Sequence, residues 1–200
     1  GAIGGFLFGY DTGSMGASLL QVKRPRIAGD LCPGLDTRSL TTHEQAMVTS
    51  FVVLGAFISA AGAARLNDQI GRKGTILVAS TFFTAGALLM AFSMSLPMML
   101  VARIVLGFGV GLASHSVPLY ISECAPSSLR GSLCFLNDMM IVVGQVAAAA
   151  VSTFLFMAEL PNGWRWILGA AVVPSLLMFV GIIFMPESPR WLLANGQQKE

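Results

Sequence analysis

The chain has 200 residues, 54% of them hydrophobic and only 11% charged, with a mean hydropathy of +0.73 and a formal net charge of +2. A soluble domain carries about 25% charged residues, so this composition excludes an ordinary soluble fold and points to a multi-span membrane protein. The small charge, with no basic run among aromatics, excludes a nucleic-acid partner, and Cys32, Cys124 and Cys134 form no CxxC or Cys/His cluster, so neither a metal nor a cofactor is expected.

A bilayer-spanning helix needs about 20 mostly apolar residues. Six stretches meet that test, roughly 1–20, 45–65, 76–95, 97–120, 132–156 and 164–185. The expected fold is therefore all-α, a single bundle of six transmembrane helices, with 186–200 starting a cytoplasmic linker. Residue 1 already stands inside an apolar segment with no charged region before it, so no signal peptide is read. The sequence reads as cut inside its first span and again after Pro186–Leu192.

In the first span Gly1, Gly5, Gly9, Gly13 and Ala17 recur every four residues, which makes one smooth stripe on a helix. In a membrane such a stripe admits a second helix closely. The same span carries Asp11, a carboxylate costing roughly 2.5–3.5 kcal/mol on insertion scales. Its partner is read as Arg103, six residues into the fourth span and roughly 9 Å deep, against roughly 13 Å for Asp11. An odd number of crossings puts those two depths on the same side. The bland readings are a structural ion pair, or Arg103 snorkelling to the interface. The functional reading is a proton relay, since buried ionisable groups in membranes mark pathways.

Residues 21–44 form the one long loop, broken by Pro25, Gly29, Pro33 and Gly34. The second span shows Gly55, Ser59 and Gly62, another small-residue face. Asn67 to Lys73 is a tight turn into the third span. In the fourth span Gly107, Gly109 and Gly111 lack the preceding strand of a dinucleotide loop, so they read as close packing. His115 reads as a packing residue, with pH sensing as the lesser alternative. In the fifth span Gln145 lies near mid-span, where an amide suits either a hydroxyl-rich ligand or a helix–helix hydrogen bond. Asp138, seven residues before it on the same face, reads as an interfacial charge. Pro174 kinks the sixth span.

Lys and Arg ordinarily set topology, but here they are nearly balanced between the two sides and charge counting alone does not establish it. Arg65, Arg72, Lys73, Arg130, Arg190 and Lys199 fall on one side, and Lys23, Arg24, Arg26, Arg38 and Arg165 on the other. The Arg72 side is placed in the cytoplasm. Asp68, Arg72, Glu123, Arg130, Glu187 and Arg190 share that face. They read either as solvated charges, worth little singly, or as a network holding one conformation shut.

These motifs together resemble the sugar porter branch of the major facilitator superfamily: Phe8-Gly9-Tyr10-Asp11-Thr12-Gly13, Gly71-Arg72-Lys73, Arg103 with Gly107 to Gly111, Pro118 to Glu123 through Arg130-Gly131, Gly144-Gln145, and Pro186-Glu187-Ser188-Pro189-Arg190-Trp191. They stand in the family's order across nearly the whole chain. The departure is Ala64, where the family's loop motif begins with Gly. The resemblance implies twelve helices in two six-helix halves, of which this chain matches the N-terminal one. It implies that Phe8 and Gln145 line a sugar site. It implies that Glu123, Arg130, Glu187 and Arg190 form a charge lock with Arg72, and that Asp11 paired with Arg103 marks proton-coupled members.

The resulting expectation is an integral protein of the plasma membrane, the N-terminal half of a transporter whose C-terminal half completes it. It carries a hexose or a polyol such as inositol by proton symport. A facilitative uniporter is the alternative within the class, and a transporter-like sugar sensor the alternative outside it. No nucleophile–base pair supports an enzyme.

Overall fold

The computed structural model describes residues 2–22, 41–157 and 163–195. Most of the expected long loop, with Lys23, Arg24, Arg26, Arg38 and Cys32, lies outside those residues. The described chain is all helix: α1 Ala2–Val22, α2 Thr42–Ala91, α3 Leu96–Cys124, α4 Arg130–Met157, α5 Gly163–Gly169, α6 Val172–Ile183 and α7 Pro189–Ala194. Among the described residues, four stretches are by length and composition able to cross a membrane: Thr42–Ala91, Leu96–Cys124, Arg130–Leu155 and Arg165–Ile183. Large apolar side chains such as Phe57, Phe154 and Phe184 stand exposed on the outside. Water does not tolerate that over a wide surface, whereas lipid does.

The 50 residues of α2 do not form one rod. Thr41 and Glu44 start it with a reciprocal capping box. Helical geometry then runs to Gly71, where φ is 83° and ψ 166°. Before this point the contacts with α3 advance together, Val52 meeting Gly107 and Ala56 meeting Gly111; beyond it they run oppositely, Ala79 meeting Gly109 and Gly86 meeting Leu106. The two arms are therefore antiparallel, and the two spans read from the sequence are the arms of one helical hairpin. A Cβ on Gly71 would also lie 2.6 Å from a carboxylate oxygen of Glu187. Gly71→Ala should thus lose roughly 1–3 kcal/mol for a positive-φ, extended backbone that is essentially glycine-only, and more for pushing Glu187 away. A fall of several degrees in the melting temperature of the purified protein checks this.

Glycines set the helix distances. Gly5, Gly9 and Gly13 of α1 face the backbone of Asn137, Ile141 and Gln145 on α4, a constant register that makes these two helices parallel. On α3, Gly107 and Gly111 meet the first arm of α2 while Gly109 meets Ala79 and Phe83 of the second. Alternate glycines thus serve two neighbours, which is the packing role expected of them. The core behind them holds Leu7, Ile76, Met90, Met99, Leu106 and Leu168. The sixth span breaks earlier than its proline. Pro174 offers no N–H to the Ala170 carbonyl, which accepts from Val173 at 3.2 Å instead, and α5 gives way to α6 across Ala170 and Ala171.

Candidate functional site

Asp11 and Arg103 meet. The antiparallel passage of α1 and α3, with Gly4 against Val117 at one end, brings Arg103 Nη1 to Asp11 Oδ1, donating at 2.9 Å. Arg103 is 0% exposed, which removes the snorkelling alternative; Asp11 keeps 7%. The second guanidinium nitrogen, Nη2, donates to the Met15 sulfur, a weak acceptor, and Nε has no acceptor among the described residues. The cation is therefore held chiefly by one carboxylate. Removing that carboxylate leaves a buried charge with little to balance it.

One helical turn before Asp11, Phe8 stands 41% exposed. It opens on a cavity of about 160 Å³ between α1, α3 and α4, lined also by Gly5, Ser114, Asn137, Asp138 and Ile141. Ligand pockets run to about 300–1,000 Å³, so this cavity by itself is smaller than such a pocket. Gln145 is exposed on α4 but does not line this cavity. Its side chain makes no hydrogen bond among the described residues, so the helix–helix hydrogen bond is not formed. Asp138, read from sequence as an interfacial charge, takes the place beside Phe8 instead. Its level against α1 is set by the glycine register, Gly5 on Asn137 and Gly9 on Ile141, which α4's own sequence does not display.

At the Gly71 end a second cluster forms. Arg72 Nη2 donates to Glu123 Oε1 at 3.1 Å, and Nε lies 3.0 Å from Oε2, close but off the hydrogen-bond axis. Arg72 Nη1 reaches the Asn67 carbonyl at 3.2 Å and Asp68 at 3.5 Å. The Glu187 carboxylate accepts from the backbone N–H of Lys73 at 3.0 Å, capping the second arm of α2 where an anion is favoured. Ser188 Oγ donates to Glu123, Tyr120 to the Pro186 carbonyl at 2.7 Å, and Trp191 Nε1 to the Asp68 carbonyl at 3.0 Å. Arg130 and Arg190 are exposed and enter no ion pair among the described residues, although Arg190 borders the same cleft as Arg72 and Glu123. His115 is tied rather than free: the Asn67 amide donates to its Nδ1 at 3.1 Å, and Ser116 donates to the Asn67 carbonyl oxygen of the side chain at 3.0 Å.

The family model for "Sugar (and other) transporter" matches residues 1–200. The chain belongs to the sugar transporter family. It is 40% identical over 200 residues to the human proton myo-inositol cotransporter, covering 100% of this chain and 29% of that protein. It is 39% identical over 199 residues to the glucose transporter GlcP of Staphylococcus epidermidis, of which it covers 41%. Among solved structures, the xylose transporter XylE of E. coli in a partially occluded inward-open conformation superposes with a TM-score of 0.85 at 26% identity, over 98% of this chain and 51% of that one.

This sugar-transporter chain thus spans well under two thirds of the length of those relatives, and corresponds to their N-terminal half. Membership makes it a multi-pass integral membrane protein of the major facilitator fold, in a family of transporters rather than enzymes. No contact role was read from the sequence for Met15, Asn67, Tyr120 or Ser188, although the last three stand within the turn and motifs named above; their polar partners are set by the packing. The capping role of Glu187 could have been suspected, since a helix restarting at a glycine leaves N–H groups in need of an acceptor.

Proposed function

We propose that the complete protein is a secondary active transporter of a hexose or a polyol such as inositol, driven by proton symport through alternating access. The observation carrying this reading is the Asp11–Arg103 pair: a sealed cation and a slightly open carboxylate inside a span, one helical turn from Phe8 on the cavity wall. Only the carboxylate can exchange a proton, because a guanidinium stays charged at any relevant pH. Protonation weakens its grip on Arg103 and lets the two halves rock about the site between them. The C-terminal half supplies the opposite wall. Asp68, Arg72, Glu123 and Glu187 serve as a charge network that favours one conformation, Arg130 and Arg190 joining it in another state. The relatives named for proton-coupled inositol and for glucose support the substrate class, as does the xylose symporter. The plasma membrane is the proposed location.

The test is uptake by the full-length protein in proteoliposomes, with labelled glucose and myo-inositol, with and without an inward proton gradient. Accumulation above equilibrium only with the gradient is expected. Uptake that merely equilibrates under both conditions would establish uniport, and no uptake of any hydroxyl-rich solute overturns the proposal.

Gln145 belongs to the same reading. Its amide is exposed and unpaired on α4, so it is free to bond a substrate hydroxyl. Gln145→Ala is expected to raise the transport KM about threefold to tenfold, the worth of one hydrogen bond, at unchanged expression. An unchanged KM removes Gln145 from the substrate site.

A further inference from the structure

The cavity wall beside Phe8 has a chemical character that the transport reading does not contain. Asp138 is exposed at its edge. Its neighbour Asn137 turns toward α1 and is 8% exposed, and its Oδ1 lies against Gly5 with no hydrogen-bond partner. Ser114 has its O–H committed to the Gly111 carbonyl at 3.1 Å, so its oxygen is left to accept. No Lys or Arg lines the cavity. The nearest buried cation, Arg103, is taken by Asp11, and that pair is neutral as a unit. The wall is therefore mostly apolar with few polar groups, and its one charged side chain is Asp138, which has no cation beside it in the lining.

A carboxylate is acceptor-only and has about four lone-pair positions. It suits adjacent hydroxyls, which form short charge-assisted bonds to it, and an ammonium group still better. It repels a second carboxylate or a phosphate. At a separation of about 5 Å and an effective dielectric near 20, that repulsion changes affinity on the order of a hundredfold.

We propose that Asp138 selects substrate by charge, admitting neutral polyols and amino-substituted sugars or cyclitols and turning away sugar acids and sugar phosphates. This rests on the transport reading above and narrows its substrate class.

The experiment is competition in the full-length protein, reconstituted in proteoliposomes at neutral pH without a proton gradient or membrane potential. Equilibrium exchange of a labelled neutral solute, glucose or myo-inositol, is competed by that solute unlabelled and by its amine and carboxylate analogues: glucosamine and glucuronate for glucose, an inosamine and a cyclitol carboxylate for inositol. The wild-type order expected is amine at least equal to neutral, with the carboxylate on the order of a hundredfold weaker. Asp138→Glu should keep that order, and Asp138→Asn should bring the three competitors within about threefold of one another. A carboxylate that competes as well as the neutral solute in the wild type overturns the proposal, and so does an unchanged order in Asp138→Asn. Should Asp138→Asn fail to fold, the wild-type and Asp138→Glu orders decide alone. A protein exchanging no hydroxyl-rich solute overturns the transport reading and this one with it, whereas exchange without a charge order overturns only the selection by Asp138.

Discussion

Asp11→Asn is expected to reduce the accumulation ratio of the full-length transporter to about 1 while leaving downhill exchange in place. Asparagine keeps the shape of the side chain and still presents an oxygen to Arg103 Nη1, now 2.9 Å from Oδ1. It cannot take up or release a proton. Arg103 cannot substitute, because it holds its charge throughout. Sugar entry by the mutant should therefore no longer acidify the liposome interior. Asp11→Ala serves as the contrast. It strips the buried guanidinium of its one charged partner, leaving Met15 as its acceptor, and breaking such a pair costs about 3–5 kcal/mol. That variant should be lost to misfolding, whereas Asp11→Asn should be recovered in good yield. Continued proton uptake by Asp11→Asn as sugar enters would falsify the assignment of Asp11 as carrier. His115, already hydrogen-bonded to Asn67, is then the next group to replace.

Gly9→Val is expected to abolish assembly of the bundle. A Cβ at Gly9 would stand 1.9 Å from the Ile141 carbonyl oxygen, and its reciprocal, a Cβ at Gly144, 2.2 Å from the Phe6 carbonyl oxygen. These obstacles are backbone, so no side chain can swing aside. The helices must part, and parting them also opens the contacts of Gly5 and Gly13. Overpacking typically costs 1–3 kcal/mol in a core that can adjust, and here it exceeds that range because van der Waals contact is the main force holding helices together in lipid. Gly16 has nothing within 4 Å of where its Cβ would be, so Gly16→Ala is the matched control. The monodisperse peak on size exclusion in detergent should disappear for Gly9→Val and persist for Gly16→Ala.

How much of this was legible in sequence depended on whether one helix alone carried the information. Depth along a span is such a quantity, since 1.5 Å per residue is fixed; that is why Asp11 and Arg103 could be matched across a separation of 92 residues. The glycine stripe of α1 was legible for the same reason, as was the packing role of Gly107, Gly109 and Gly111. Register between two helices was not. Asp138 and Gln145 share a face of α4 but stand seven residues, roughly 10 Å of rise, apart, so which of them shares a cavity with Phe8 depends on how far α4 is slid along α1, and the contacts of Gly5 with Asn137 and Gly9 with Ile141 set that only in the fold. The charge cluster was legible as a set on one face but not as a wiring. Arg130 and Arg190 stand apart, while Ser188, Tyr120 and Trp191, polar contributors without charge, complete it. In the sixth span the proline was visible, but its effect falls at Ala170, because the missing hydrogen bond belongs to the carbonyl four residues earlier.

The clasp that Glu187 makes on the α2 hairpin also has a meaning in time. Lys73 N–H waits 114 residues for its acceptor, Lys73 Nζ 110 residues for the Ile183 carbonyl, and the Asp68 carbonyl 123 residues for Trp191. At a synthesis rate of roughly 5–20 residues per second that is a delay of about 6–25 seconds. Throughout it, the hairpin turn lacks the Glu187 carboxylate and the Trp191 cover, and is held by its own two arms and, once α3 is made, by the Arg72–Glu123 pair. The turn of α2 is therefore the last part of the early chain to mature, although it is among the first to be made. A chain truncated before residue 186 should present that turn to proteases, and one released with residues 186–195 in place should not.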